Sequence, residues 1–161
     1  MKIRTSVHLT ALALLACLNN TPAAYAATTS TTFAVTATVT ATCLVTALPL
    51  VFGNYAGNQL DGTSTITVTC TSLTHYDVGL NNGANASGTQ RRMLSGGDYL
   101  NYELYTASGR TIRWDDIGGT TVVSGDGTGL PQTLTVYGRI PANQNPPTGV
   151  YTDTINVTLS Y

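Results

Sequence analysis

The sequence predicts an all-β sandwich. Two observations carry this. Beyond the first 26 residues, apolar positions recur with period two and never with the helical period. Thr, Ser, Asn and Gly also stand where charged residues usually would, a composition that suits β-strand faces better than helices. Seven or eight short strands separated by turn residues then fit two packed sheets.

The elements follow in chain order. Lys2 and Arg4 open the chain, and Val7 to Leu18 is mostly apolar. Ala24-Tyr25-Ala26 then offers small residues at the positions a signal peptidase reads. Residues 1–26 are therefore expected to be a cleaved secretory signal, too short in its apolar run for a membrane span. Residues 27–161 suit one domain. Phe33, Val35, Ala37, Val39 and Ala41 alternate with Ala34, Thr36, Thr38, Thr40 and Thr42, which predicts a strand starting almost at once. Leu48–Phe52 contains Pro49 and is at best an edge piece. Gly53–Gly62 reads as a loop. Ile66, Val68 and Cys70 form one inward set, Tyr76, Val78 and Leu80 the next, and Leu100, Tyr102 and Leu104 a third. Asn81-Asn82-Gly83 and the small residues after it read as a loop. Ser108-Gly109 reads as a hairpin turn into Thr111–Trp114. Asp115–Gly129 is a Gly-rich loop with a short strand near Thr121–Val123. Thr133–Ile140 points Leu134, Val136 and Gly138 one way. After the Pro-rich Pro141–Gly149, Tyr151, Ile155, Val157, Leu159 and Tyr161 share the face of a closing strand.

Charge and cysteine content narrow the function. Past residue 26, five arginines face eight carboxylates, a net charge of −3, and no lysine remains. No basic patch invites nucleic acid or an anionic lipid surface, so neither nucleic-acid binding nor bilayer insertion is expected. Cys17 falls in the signal, leaving Cys43 and Cys70. In an exported chain an even pair reads as one disulfide. A metal or redox pair is disfavoured, since the spacing is far from C-x-x-C and His75 is the only other candidate ligand. No catalytic constellation emerges. His75 reads as a turn residue, Asp115, Asp116 and Asp126 do not match the calcium-loop spacing, and no G-x-S-x-G is present. The expectation is a non-enzyme without metal or cofactor.

Val136-Tyr137-Gly138-Arg139-Ile140-Pro141-Ala142-Asn143-Gln144 resembles a signature of the spore coat protein U domain, which pilins of the archaic chaperone–usher class share. Pro147–Tyr161 resembles that domain's closing strand, Leu50-Val51-Phe52-Gly53 the stretch after its first cysteine, and Tyr102-Glu103-Leu104-Tyr105 its central aromatic strand. Cys43 and Cys70 sit where the family places a bridged pair. The resemblance implies an incomplete immunoglobulin-like sandwich lacking its final strand, completed by donor-strand exchange. It implies three partners: a periplasmic pilus chaperone, an outer-membrane usher and neighbouring pilin subunits. It divides the chain into a signal (1–26), a donor extension (27–37) and a pilin domain (38–161). Phe33, Val35, Ala37 and Val39 become the donor residues. Ile155, Val157, Leu159 and Tyr161 become the acceptor-groove and chaperone-contacting strand. Tyr137, Gly138, Arg139, Ile140 and Pro141 form the family motif.

The residues agree with that assignment. No charge occurs from Ala27 to Leu60, and no Pro, Lys or Asp guards Ala27–Cys43. Such a segment is a pairing hazard if exposed and a polymerisation device if donated. The expected function is a structural pilin, exported to the periplasm and then to a surface pilus, supporting adhesion and biofilm growth. The alternative is a self-contained secreted coat or carbohydrate-binding module, with Tyr99, Tyr105 and Trp114 as contact residues.

Overall fold

The computed structural model describes residues 25–161. The expected signal peptide, save its last two residues, lies outside them. Thr38–Tyr161 forms one compact unit, and residues 25–37 belong to another. The compact unit contains eight strands: β1 (Cys43–Ala47), β2 (Leu60–Cys70), β3 (His75–Leu80), β4 (Arg91–Ser95), β5 (Asp98–Tyr105), β6 (Val123–Asp126), β7 (Gln132–Ile140) and β8 (Val157–Ser160). No helix occurs among the described residues. One sheet has the order β1-β2-β7-β5-β4 and the other β6-β3-β8. Every pairing within them is antiparallel.

Period-two alternation builds the core. Ile66, Val68 and Cys70 of β2, Tyr76, Val78 and Leu80 of β3, and Leu100, Tyr102 and Leu104 of β5 are all buried, as expected. Val136 and Ile140 complete the set from β7. Each Val, Leu or Ile side chain among them contributes roughly 1.5–3 kcal/mol on burial. The Cys43–Cys70 disulfide joins two residues directly opposite each other in the β1–β2 ladder, with Cα atoms 4.1 Å apart. Across its 27-residue separation it stabilises by roughly 3–4 kcal/mol in the chain-entropy view.

Several elements differ from the sequence expectation. The alternating segment Phe33–Ala41 holds no strand, and the first ladder begins only at Cys43. Alternation supplies a face but not the partner backbone a ladder needs. The closing strand is confined to Val157–Ser160. Before it, Thr152 makes an isolated bridge to Leu94 of β4, so the chain crosses from one sheet to the other. Thr111–Trp114 forms no strand and contributes one bridge, Tyr105 to Arg113. His75 begins β3 rather than sitting in a turn, and β6 starts at Val123.

Strand β4 has no counterpart in the expectation, which places no strand between the loop after Asn81-Asn82-Gly83 and the set at Leu100, Tyr102 and Leu104. Arg91 is fully buried. Its Nε donates to Asn81 O at 2.9 Å, and its Nη2 to Leu80 O, Asn81 O and Trp114 O at 2.7, 2.7 and 2.8 Å. Nη1 pairs with Glu103, which also accepts from Arg113 Nε at 2.9 Å. One side chain thus ties the edge of the larger sheet to the end of β3 and to the loop carrying Trp114. Burial pulls the guanidinium's pKa down, while Glu103 opposes the shift.

Candidate functional site

The sandwich is open along one side. β1 ends the five-stranded sheet and β8 ends the three-stranded one, and no ladder joins them. Between them lies a groove with a cavity of about 270 Å³. Its floor is core: Ile66, Leu80, Tyr102, Leu104 and Val136. Leu48, Leu50 and Phe52 line one wall, and Ile155 and Val157 the other. The inward residues of β8 are only half-buried, whereas Val78, which faces Leu159 in the ladder, is fully buried. An apolar face on an unpaired edge is what an added strand would cover.

The family-motif residues build the Leu50–Phe52 wall. Gly138 of β7 lies opposite Gly62 of β2 in the ladder. A Cβ on Gly138 would stand 2.7 Å from the Phe52 ring and 2.8 Å from Leu50 Cδ1, and one on Gly62 would meet the same two side chains at 3.1 and 3.2 Å. The glycine pair is a slot that lets this wall lie flat on the sheet. Pro49 ends the ladder before it, so the wall is irregular chain held by side chains. Ser64 Oγ donates to Leu48 O at 2.6 Å. Tyr55 Oη donates to Pro141 O at 2.8 Å and accepts from Gln144 N at 3.0 Å. Arg139 makes a two-point pair with Asp61, at 2.7 and 3.0 Å. Arg139 thereby holds the Asp61 carboxyl below the usual carboxylate range. The Arg110 guanidinium lies 5.5 Å from the Tyr137 ring centre and donates to Gly138 O at 3.0 Å. Ile140 is buried.

One polar pair breaks the apolar lining. Tyr102 Oη donates to Asp153 Oδ2 at 2.7 Å, and Asp153 Oδ1 accepts from Asn85 N and Nδ2 at 3.1 and 3.0 Å. Burial first, and the Asp153 carboxylate second, push the Tyr102 hydroxyl pKa up. The carboxylate is therefore a satisfied acceptor at the groove's edge.

Of the residues singled out in the sequence, Ile155 and Val157 line the cavity, Leu159 is half-buried on the same face, and Tyr161 is exposed and outside the lining. Phe33 is 85 % and Val35 82 % exposed; Ala37 and Val39 are exposed too. Trp114 is fully buried, with Nε1 donating to Val78 O at 2.8 Å, so it cannot serve as a ligand contact. Tyr105 is half-buried, and Tyr99 lies under the Arg92 guanidinium at 3.8 Å. His75 Nδ1 lies 3.0 Å from Asp126 at the surface. Asp153, the glycine slot and Arg91 escaped the sequence reading. Gly62, read from the sequence as the end of a loop, lies inside β2 and gave no signal until the ladder paired it with Gly138.

An all-β sandwich whose two sheets leave an apolar groove between their edge strands defines a class of open, two-sheet domains. The spore coat protein U domain matches residues 29–158. The chain belongs to that family. It is 36% identical over 121 residues to Protein U of Myxococcus xanthus, covering 70% of this chain and 67% of that protein. It is also similar to a chain in the crystal structure of the CsuC–CsuE chaperone–tip adhesion subunit pre-assembly complex from archaic chaperone–usher Csu pili of Acinetobacter baumannii. That match has a TM-score of 0.61 and 28% identity, covering 77% of this chain and 40% of that one. This chain thus spans about two fifths of that solved chain's length.

Proposed function

We propose that this chain is a structural subunit of a chaperone–usher pilus. After export through the signal peptide, its groove takes an extended apolar strand, first from a periplasmic chaperone and then, at the outer-membrane usher, from residues 27–37 and the following positions of the next subunit. The pilus so formed supports adhesion and biofilm growth. The observation that carries this is a complementarity within one sequence. The groove between β1 and β8 lacks an apolar covering strand, and the uncharged alternating segment exposes Phe33, Val35 and Val39. Covering the Phe and two Val side chains contributes roughly 1.5–3 kcal/mol each before ordering costs. Main-chain bonds along β8 fix register, and a head-to-tail contact of this kind grows a filament rather than closing. The likeness to a chaperone–tip subunit complex of Csu pili supports the same reading.

The test is a synthetic peptide of residues 28–40 added to the full chain. It should raise the thermal unfolding midpoint and cap polymerisation, and a Phe33→Asp peptide should do neither. A chain indifferent to the wild-type peptide refutes the proposal. Of the three contact residues of the carbohydrate-binding alternative, Trp114 is core, Tyr105 is half-buried and Tyr99 is exposed.

A further inference from the structure

This inference rests on the donor-strand reading and concerns what else the subunits touch. Val39 is the last donor position and Cys43 opens β1. Four residues of extended chain span at most about 14 Å. The acceptor must therefore close onto the end of the donor subunit's sandwich where β1 starts. The turn after β2 lies at that end, because Cys70 pairs with Cys43. Its Leu73 is 89 % exposed and has φ +63°. A left-handed backbone is ordinary for Gly or Asn and unfavourable for a bulky apolar residue. Leu73 N donates to Gly127 O at 2.8 Å, which joins this turn to the loop carrying exposed Leu130. Nothing inside the subunit accounts for a strained, solvent-facing leucine beside a second one.

The surface that meets them follows from strand sense. Every ladder is antiparallel. A donor that continues this beside β8 leaves the groove where β8 begins. At that end Val51 follows β1, and Val150 precedes the Thr152 bridge to Leu94; both are exposed. We infer that Leu73 and Leu130 of one subunit pack against Val51 and Val150 of the subunit that accepts its donor strand, a second copy of this chain. The contact braces the short tether and limits how far consecutive subunits swing.

Filaments of the full chain, assembled with chaperone and usher, test this with two variants. Leu73→Asn suits the left-handed backbone, so the isolated subunit should keep its unfolding midpoint or gain, while filaments should dissociate roughly tenfold faster. Leu73→Cys combined with Val150→Cys should give a ladder of cross-linked subunits on non-reducing gels. Filaments of Leu73→Asn as durable as wild type, together with no ladder, overturn the contact. Phe33→Asp separates the two ideas. If it still assembles, the donor reading fails; if it abolishes assembly while filaments with Phe33 intact give neither faster loss in Leu73→Asn nor a cysteine ladder, only the Leu73 contact fails.

Discussion

At the residue scale, Arg91 concentrates most of the fold's polar risk. Four main-chain bonds and one carboxylate satisfy its guanidinium. Arg91→Met removes every donor at once and leaves the Leu80, Asn81 and Trp114 carbonyls unpaired in the interior. A loss of about 3–5 kcal/mol is expected, read from urea unfolding of the donor-complemented subunit. A second residue-scale effect depends on pH. Asp61 titrates below the ordinary range because of Arg139, and Asp115 does so chiefly through the Thr121 hydroxyl, with Arg113 adding to it. A carboxyl depressed in the folded state stabilises above its unfolded pKa, and that contribution is lost as pH falls through the folded value. Stability should therefore be flat near neutrality and decline below about pH 4. Asp61→Asn should remove part of that decline, as shown by unfolding midpoints measured from pH 2 to pH 6. Arg91 was invisible in the sequence because an Arg-Arg pair reads as solvated. Only the crossing of β4 over the end of β3 turns one of the two inward.

At the scale of elements, the disulfide and the glycine slot govern opposite ends of one groove wall. β1 is a five-residue edge strand paired only with β2. Cys43–Cys70 anchors its start. Replacing both cysteines by serine should cost roughly 2–5 kcal/mol and weaken peptide capture, because the strand that bounds the groove can then fray. Gly138→Val acts at the other end. A bulkier side chain pushes Phe52 and Leu50 off the sheet, and the expected result is a destabilisation of about 1–3 kcal/mol, with a larger proportional loss in affinity for the 28–40 peptide than in stability. Titration calorimetry against unfolding curves separates the two. The inward sets of β2, β3 and β5 were legible because each alternates cleanly over at least five residues. The wall at Leu48–Phe52 was legible as apolar but not as a groove lining. Its position depends on two glycines 76 residues apart that only the β2–β7 register brings together.

At the scale of the whole molecule, the open side and the exposed segment make opposite demands on one sequence. On the proposed donor role, the segment must avoid pairing within its own subunit and still pair firmly in another. Its Thr-rich outward positions and lack of charge suit the second demand, and the first is met by how soon β1 follows it. The sense of insertion can be tested by grafting. A copy of residues 28–40 joined after Tyr161 through a four-residue turn can fold back beside β8 only as an antiparallel strand, since a parallel return needs a crossover of a dozen residues or more. With that short turn, the chain with its own first segment deleted should become a monomer that neither polymerises nor binds added peptide. Its unfolding midpoint should rise well above that of the unfilled subunit, because Phe and Val side chains now cover the β1–β8 groove. If only a long linker restores stability, the donor runs parallel to β8, and the Leu73 contact with Val150 loses its geometric basis. If neither linker stabilises the chain, the groove is not completed by this segment at all.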